Sequence, residues 1–434
     1  MIFMHIFNNK ILKRCDILLI ITFKILYDII INYQLPVAIA LSNHNYRINP
    51  NEFKILLGYL LLGFSLAFTN KMNSKSTVAY ISIAVLYFLY YIPVISVFGQ
   101  CDLPYEFFFL INFYWFCLII FTNLICVKNI HGIVLNKVHF GINHAFFVLF
   151  VFATISTYLY NGFNFTLDFA DVYEVREESL NANYFLLLAK NAYVMFLGPV
   201  FISYYLIKKE YLWAFYAIAL MVIFFTVGKD KSAVFIIFPV IIMSFLRRIN
   251  YITIKVLIGF SLCILMIISY VEYIHYDSHN ICYFIIRRTF FVPSFFNFLY
   301  YDFFSEATKL YFTDHVFLIN RILPDIYPYN VSELISRKYF SGLTSSPNTG
   351  MFAEGYMQLG ILGAIIYPII LAYFFKFLDR ITCFYPLILR VATAITICLV
   401  LINVPITHSF FVVTFGVASF FMILVNTEFN KYPV

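Results

Sequence analysis

Arginine carries the strongest chemical signal in this chain: Arg176, the adjacent pair Arg287-Arg288, Arg321, and Arg337 beside Lys338. A guanidinium presents a planar fork of donors that grips phosphate oxygens in pairs and stays charged beside lipid. Several of them at a membrane surface would suit a lipid diphosphate. The plainer alternative is anchoring, in which each long side chain carries its charge to the interface. That alternative fits a lone arginine better than Arg287-Arg288, which stand inside the apolar aromatic run IIRRTFFVP. Arg176 lies among the carboxylates of DFADVYEVREES, 168–179, which either form a solvated loop or fix its side chain.

A second group of residues is suited to moving a proton. His275, His279 and His315 fall in one polar stretch, and an imidazole there is either surface decoration or a base near neutral pH. In SSPNTGMFAEGYMQLGILGAIIYPIILAYF, 345–374, a turn containing Pro347, Asn348 and Gly350 delivers Glu354 to the start of an apolar run. The helix dipole favours a carboxylate in that place, and the same carboxylate could take a proton from a sugar hydroxyl. Gly360 and Gly363 are small enough for neighbouring helices to approach there. No HExxH or carboxylate cage occurs, so neither a metal nor a cofactor is expected. The eight cysteines show no zinc or redox spacing, although Cys101 and Cys282 remain open to pairing. GKDKS, 228–232, lacks the remainder of a phosphate loop and reads as a charged turn.

The elements that must position these groups follow from composition. Hydrophobic residues are 62% of 434 and charged residues only 12%, against about 25% charged in soluble domains. Lipid is therefore the expected solvent, where the backbone must satisfy its own polar groups. Continuous rather than alternating apolar runs select helices over a barrel. The fold class expected is an all-α polytopic membrane protein of about 12 spans. The spans are placed at 17–40, 53–69, 77–98, 105–127, 142–160, 191–207, 211–227, 232–246, 252–271, 356–375, 384–404 and 408–425. The first must accommodate Lys24 and Asp28, four residues apart and able to pair, and the eleventh contains Arg390, which needs a partner.

Lys and Arg gather in alternate connections, among them Lys10, Lys13, Arg14, Lys71, Lys75, Lys128, Lys208, Lys209, Arg247, Arg248 and Lys376. The positive-inside rule places these, and both termini, on the cytoplasmic side. The N-terminal segment has no small-residue cleavage site and reads as a retained helix. A net charge of +7 distributed in this way does not indicate nucleic acid. Two outer loops stand out in a single integral domain, 161–190 and 272–355; the second is long enough to be functional and aromatic enough for interfacial helices.

Taken together, DVYEVR, RRTFFVPSFFNFLYYDFFSE and NTGMFAEGYMQLGILGAII resemble the bacterial O-antigen and capsule polymerases of the Wzy type. The resemblance extends over most of the chain in layout and about a third of it in motifs. It implies a bacterial inner-membrane glycosyltransferase without metal or cofactor. Such an enzyme moves a glycan from undecaprenyl diphosphate as a block onto a new lipid-linked repeat unit, alongside a flippase and a chain-length regulator. By the resemblance, Arg176, Arg287 and Arg288 contact the diphosphate or an acceptor phosphate, with Arg321, Arg337 and Asn348 in the substrate site and Glu354 or His315 as the base. The glycine of the family's paired arginine repeats is absent here, since Leu299 stands where it would follow Arg288. An O-antigen ligase shares this plan, and a flippase of lipid-linked sugar is the reading from another class; two related halves would mark a transporter, and none is evident.

Overall fold

The computed structural model describes residues 9–40, 48–69, 77–127, 142–161, 184–228, 241, 251–313, 324–340, 347–407 and 409–431. Arg176, Arg321, His315 and the span expected at 232–246 therefore lie outside the described residues, apart from the single residue 241. Every regular element among those described is helical. In chain order they are α1 (Asn9–Tyr33), α2 (Leu35–Ala40), α3 (Glu52–Thr69), α4 (Val78–Gln100), α5 (Tyr105–Leu124), α6 (Ile142–Asn161) and α7 (184–208). There follow α8 (Tyr211–Gly228), α9 (Tyr251–Tyr276), α10 (282–306), α11 (Val331–Tyr339), α12 (Met351–Ile381), α13 (Leu387–Asn403) and α14 (Ser409–Lys431).

Among the described residues, five helical stretches are long and apolar enough to cross a membrane: α3, α4, α5, Ile254–Tyr276 of α9, and α12. Shorter apolar stretches occur in α6, α8, α13 and α14. Exposed Leu56, Leu60, Phe64, Phe109, Phe113, Ile267 and Ile268 give α3, α5 and α9 outward apolar faces, as a lipid solvent requires.

Among the described residues, three helices contain wide turns with i→i+5 bonding: Tyr87–Tyr91 in α4, Tyr193–Leu197 in α7 and Cys282–Phe291 in α10. Each is followed at its second residue by a proline, namely Pro93, Pro199 and Pro293. A proline has no N–H to donate and its ring crowds the carbonyl four residues earlier. The chain meets this by widening the preceding turn while it stays helical.

The chain divides into two compact units. The first comprises 1–126, 250–375 and 401–408. There α1 runs beside α9, held by the Asp16–Lys255 pair at 2.6 Å and by reciprocal bonds between Gln34 and Ser269. Lys24 pairs with Asp28 at 2.9 Å as their spacing implied, and Ser96 and Tyr59 add bonds to that buried pair. Gly99 lets α4 approach the start of α3, because a Cβ there would lie 2.8 Å from Ile55. Tyr91 stacks on Trp115 and Phe98 on Phe108, joining α4 to α5.

The second unit comprises 127–249, 376–400 and 409–434. Phe146 of α6 sits among Tyr193, Phe201, Tyr205 and Trp213, and the Tyr193 hydroxyl donates to the Ala217 carbonyl at 2.9 Å. Arg390 donates to the carbonyls of Cys383 and Tyr385, so it caps the approach to α13 as a structural group.

Two sequence expectations change in detail. Gly360 and Gly363 serve a break inside α12 rather than contact with a neighbouring helix. Gly360 has φ +60, and a Cβ on Gly363 would fall 1.8 Å from the Gly355 carbonyl oxygen. The closing helix also begins at Met351, five residues before the span placed at 356, so Glu354 lies within its first turn. Both Cys101 and Cys282 are free thiols.

Candidate functional site

The site is built around α10. Glu272, near the end of α9, accepts from the Ser278 hydroxyl and the Ile281 amide, fixing the turn that leads into this helix. The wide segment then carries the arginine pair. Arg287 is 6% exposed, with its guanidinium 4.4 Å from the Tyr283 ring centroid and its Nε donating to the Tyr283 carbonyl at 3.4 Å. Its neighbour Arg288 is exposed. Adjacent residues of a helix leave it in different directions, so one fork faces the protein while the other faces outward. Cation–π contact of this kind holds a charge with little solvent. Burial raises the Cys282 thiol to about 12, so the residue opening the segment is an inert apolar group.

Two to three turns beyond the arginine pair, α10 grips the closing motif. Asn297, fully buried, accepts from the Ala353 amide at 3.2 Å and from the Tyr90 hydroxyl at 3.3 Å, and donates to the Pro293 carbonyl at 2.6 Å. Tyr300 donates to the Pro347 carbonyl at 3.0 Å and accepts from the Thr349 hydroxyl at 2.8 Å. Gly350 fits because its Cα faces Asn297 and the Ile402 carbonyl, from which a Cβ would be only 3.0 Å. Asn348 is exposed and donates to the Asn403 side chain at 3.1 Å. Thus one helix physically joins the arginine pair to the residues flanking Asn348 and Glu354.

Glu354 itself is 0% exposed. Its carboxylate accepts from the amides of Ile406 and Thr407 at 2.5 and 2.7 Å, from the Thr407 hydroxyl at 2.5 Å, and from the Tyr367 hydroxyl at 3.4 Å. Four donors occupy the lone pairs of one carboxylate. In this conformation Glu354 ties α12 to the connection after α13 and faces no solvent.

Arg337 lies on α11, which packs against α10. It is exposed, pairs with Glu333 at 2.7 Å and stacks 4.0 Å over Tyr329. His275 is exposed, whereas the His279 ring lies 5.2 Å from Tyr273. Among the described residues no group of three or more His, Cys, Asp or Glu is placed to hold a metal ion.

Sequence reasoning singled out the arginines and Glu354 and missed their supports: Asn297, Tyr300, Tyr367 and Thr407. Asn297 and Tyr300 carried a signal, since they are polar groups three residues apart in an aromatic run and share a helix face. Thr407, 53 residues beyond its partner, carried none. Comparison with protein-family models, with curated proteins and with solved structures yields no match.

Proposed function

We propose that this protein polymerises lipid-linked oligosaccharide repeat units on the outer face of a bacterial cytoplasmic membrane, as the resemblance to the Wzy-type polymerases implies. The observation that carries the reading is α10. It presents Arg287 and Arg288 from one proline-widened segment and binds the closing motif with its next turns. The proposal includes about 12 spans and cytoplasmic termini, following the cation pattern.

The chemistry asks for two things. The bond from the glycan's anomeric carbon to the carrier diphosphate must break, so fixed positive charge has to meet the leaving phosphate oxygens. Arg288 and, once its fork turns away from Tyr283, Arg287 are assigned that contact, with Arg176, Arg321 and Arg337 as further substrate contacts and Asn348 as a polar group for the glycan. The attacking hydroxyl must lose its proton to a base. His315 and Glu354 are the two candidates; for Glu354 the role requires release from its bonds to Ile406 and Thr407. No cofactor or metal enters this scheme.

A strain deleted for the gene is expected to accumulate single-repeat, lipid-capped product and no long chains. Arg287→Ala and Arg288→Ala should each cost about 10²–10³-fold in polymerisation, the usual loss when a donor to a developing anion is removed. A normal ladder from both variants would remove the diphosphate assignment. A ligase would instead leave long chains on the carrier that never reach the lipid core.

A further inference from the structure

Arg288 and Asp302 are fourteen positions apart on α10, which at 1.5 Å per residue is about 20 Å. The far end differs in chemistry from the arginine end. Asp302 is half-buried and accepts the Tyr339 hydroxyl at 2.5 Å, while Glu306, one turn on, is exposed. Among the described residues neither carboxylate forms an ion pair. Around them stand partly exposed rings: Tyr301 against Tyr356 at 4.9 Å, Tyr327 against Phe303 at 6.1 Å, and Tyr339. Lys338, exposed on α11, places its ammonium 5.3 Å from the Phe303 centroid and 5.2 Å from that of Tyr339. Burial raises the Tyr339 phenol first, and the Asp302 and Glu306 carboxylates raise it further. Burial also raises Tyr301, with Glu106 and Asp302 adding to it. Both phenols therefore remain protonated: the Tyr339 proton is held by Asp302, which leaves its oxygen to accept, while Tyr301 is able to donate.

We propose that this end of α10, with Asp302, Glu306, Tyr301 and the Tyr339–Lys338 edge of α11, is a binding site for the sugar portion of a glycan. Carboxylates, phenols and an ammonium accept from and donate to sugar hydroxyls, and partly exposed rings offer flat apolar surface to the C–H faces of a pyranose. Unpaired carboxylates repel a phosphate or a nucleic acid but take a neutral, hydroxyl-rich ligand. The site rests on the polymerase reading for its occupant: a short glycan whose diphosphate meets Arg287 and Arg288 would lie along the helix and reach this face.

The experiment uses the full chain in nanodiscs and, as probe, the repeat-unit oligosaccharide freed from its carrier by mild acid. Saturation-transfer NMR with irradiation of aromatic protons reads binding. Transfer to sugar protons is expected for the wild type, with affinity weakened about tenfold or more in Asp302→Asn, where a charged acceptor is lost. Glu306→Gln, an exposed change that leaves folding intact, should also weaken it. No transfer to the wild type, or equal affinity in Asp302→Asn and Glu306→Gln, overturns the site. The polymerase reading fails separately: a deletion strain with normal long chains would sink that reading, while sugar binding here would still stand.

Discussion

At the scale of single residues, the position of Glu354 is the most informative. As the fourth residue of α12 it would satisfy the helix dipole anywhere in the first turn. Its four donors do more, because two of them are backbone amides that otherwise have no partner in the connection after α13. Glu354→Gln replaces one accepting oxygen with an NH2 that faces N–H donors. The cost expected is about 1–3 kcal/mol, that of leaving a buried polar group unsatisfied, against about 1 kcal/mol for Thr407→Val. Thermal unfolding of purified variants measures both. Wild-type stability in Glu354→Gln would show that the carboxylate is free to serve as a base without consequence for the fold. Arg287 illustrates the complementary case: a charged residue in an aromatic run is legible in the sequence as a functional candidate, but its burial against Tyr283 is not, since that depends on the turn geometry.

Turn geometry belongs to the scale of elements. The helices themselves were legible, because runs of apolar residues in lipid can satisfy their backbone in no other simple way. Their wide turns were not read from the sequence, although the cause is visible there as a proline inside each apolar run. Asp16–Lys255 was equally invisible, its partners being 239 positions apart, whereas Lys24–Asp28 followed from a four-residue spacing. The proline account makes a prediction for α10. In Pro293→Ala the missing N–H returns and the widened turn has no remaining cause, so the arginine pair shifts by one helical position, about 100°. Polymerisation should fall toward the level of Arg287→Ala while the protein still accumulates in the membrane. Full activity in Pro293→Ala would show that the wide segment does not aim the arginines.

At the scale of the whole molecule, the first unit contains the arginine pair, the closing motif and, apart from the last residues of α12, the five stretches among the described residues that are long enough to span a bilayer. The sequence placed spans more generously than that, because apolar composition marks a helix well and its ends poorly. Polar interruptions such as Lys24 with Asp28 shorten the uncharged window of α1 without preventing its burial. Orientation rests on the cation pattern and has a direct consequence. An epitope tag placed between residues 306 and 331 should be reached by antibody from outside intact spheroplasts, and labelling only after lysis would reverse the topology.

The central claim is that Arg287 and Arg288 meet the diphosphate of a lipid-linked glycan. Its most direct measurement is polymerisation by the purified protein in proteoliposomes supplied with a lipid-linked repeat unit, comparing wild type with the Arg287→Ala/Arg288→Ala double variant. A ladder of long chains is expected from the wild type and unextended repeat units from the variant, with the two proteins equally folded. Ladders of equal length and rate from both would contradict it.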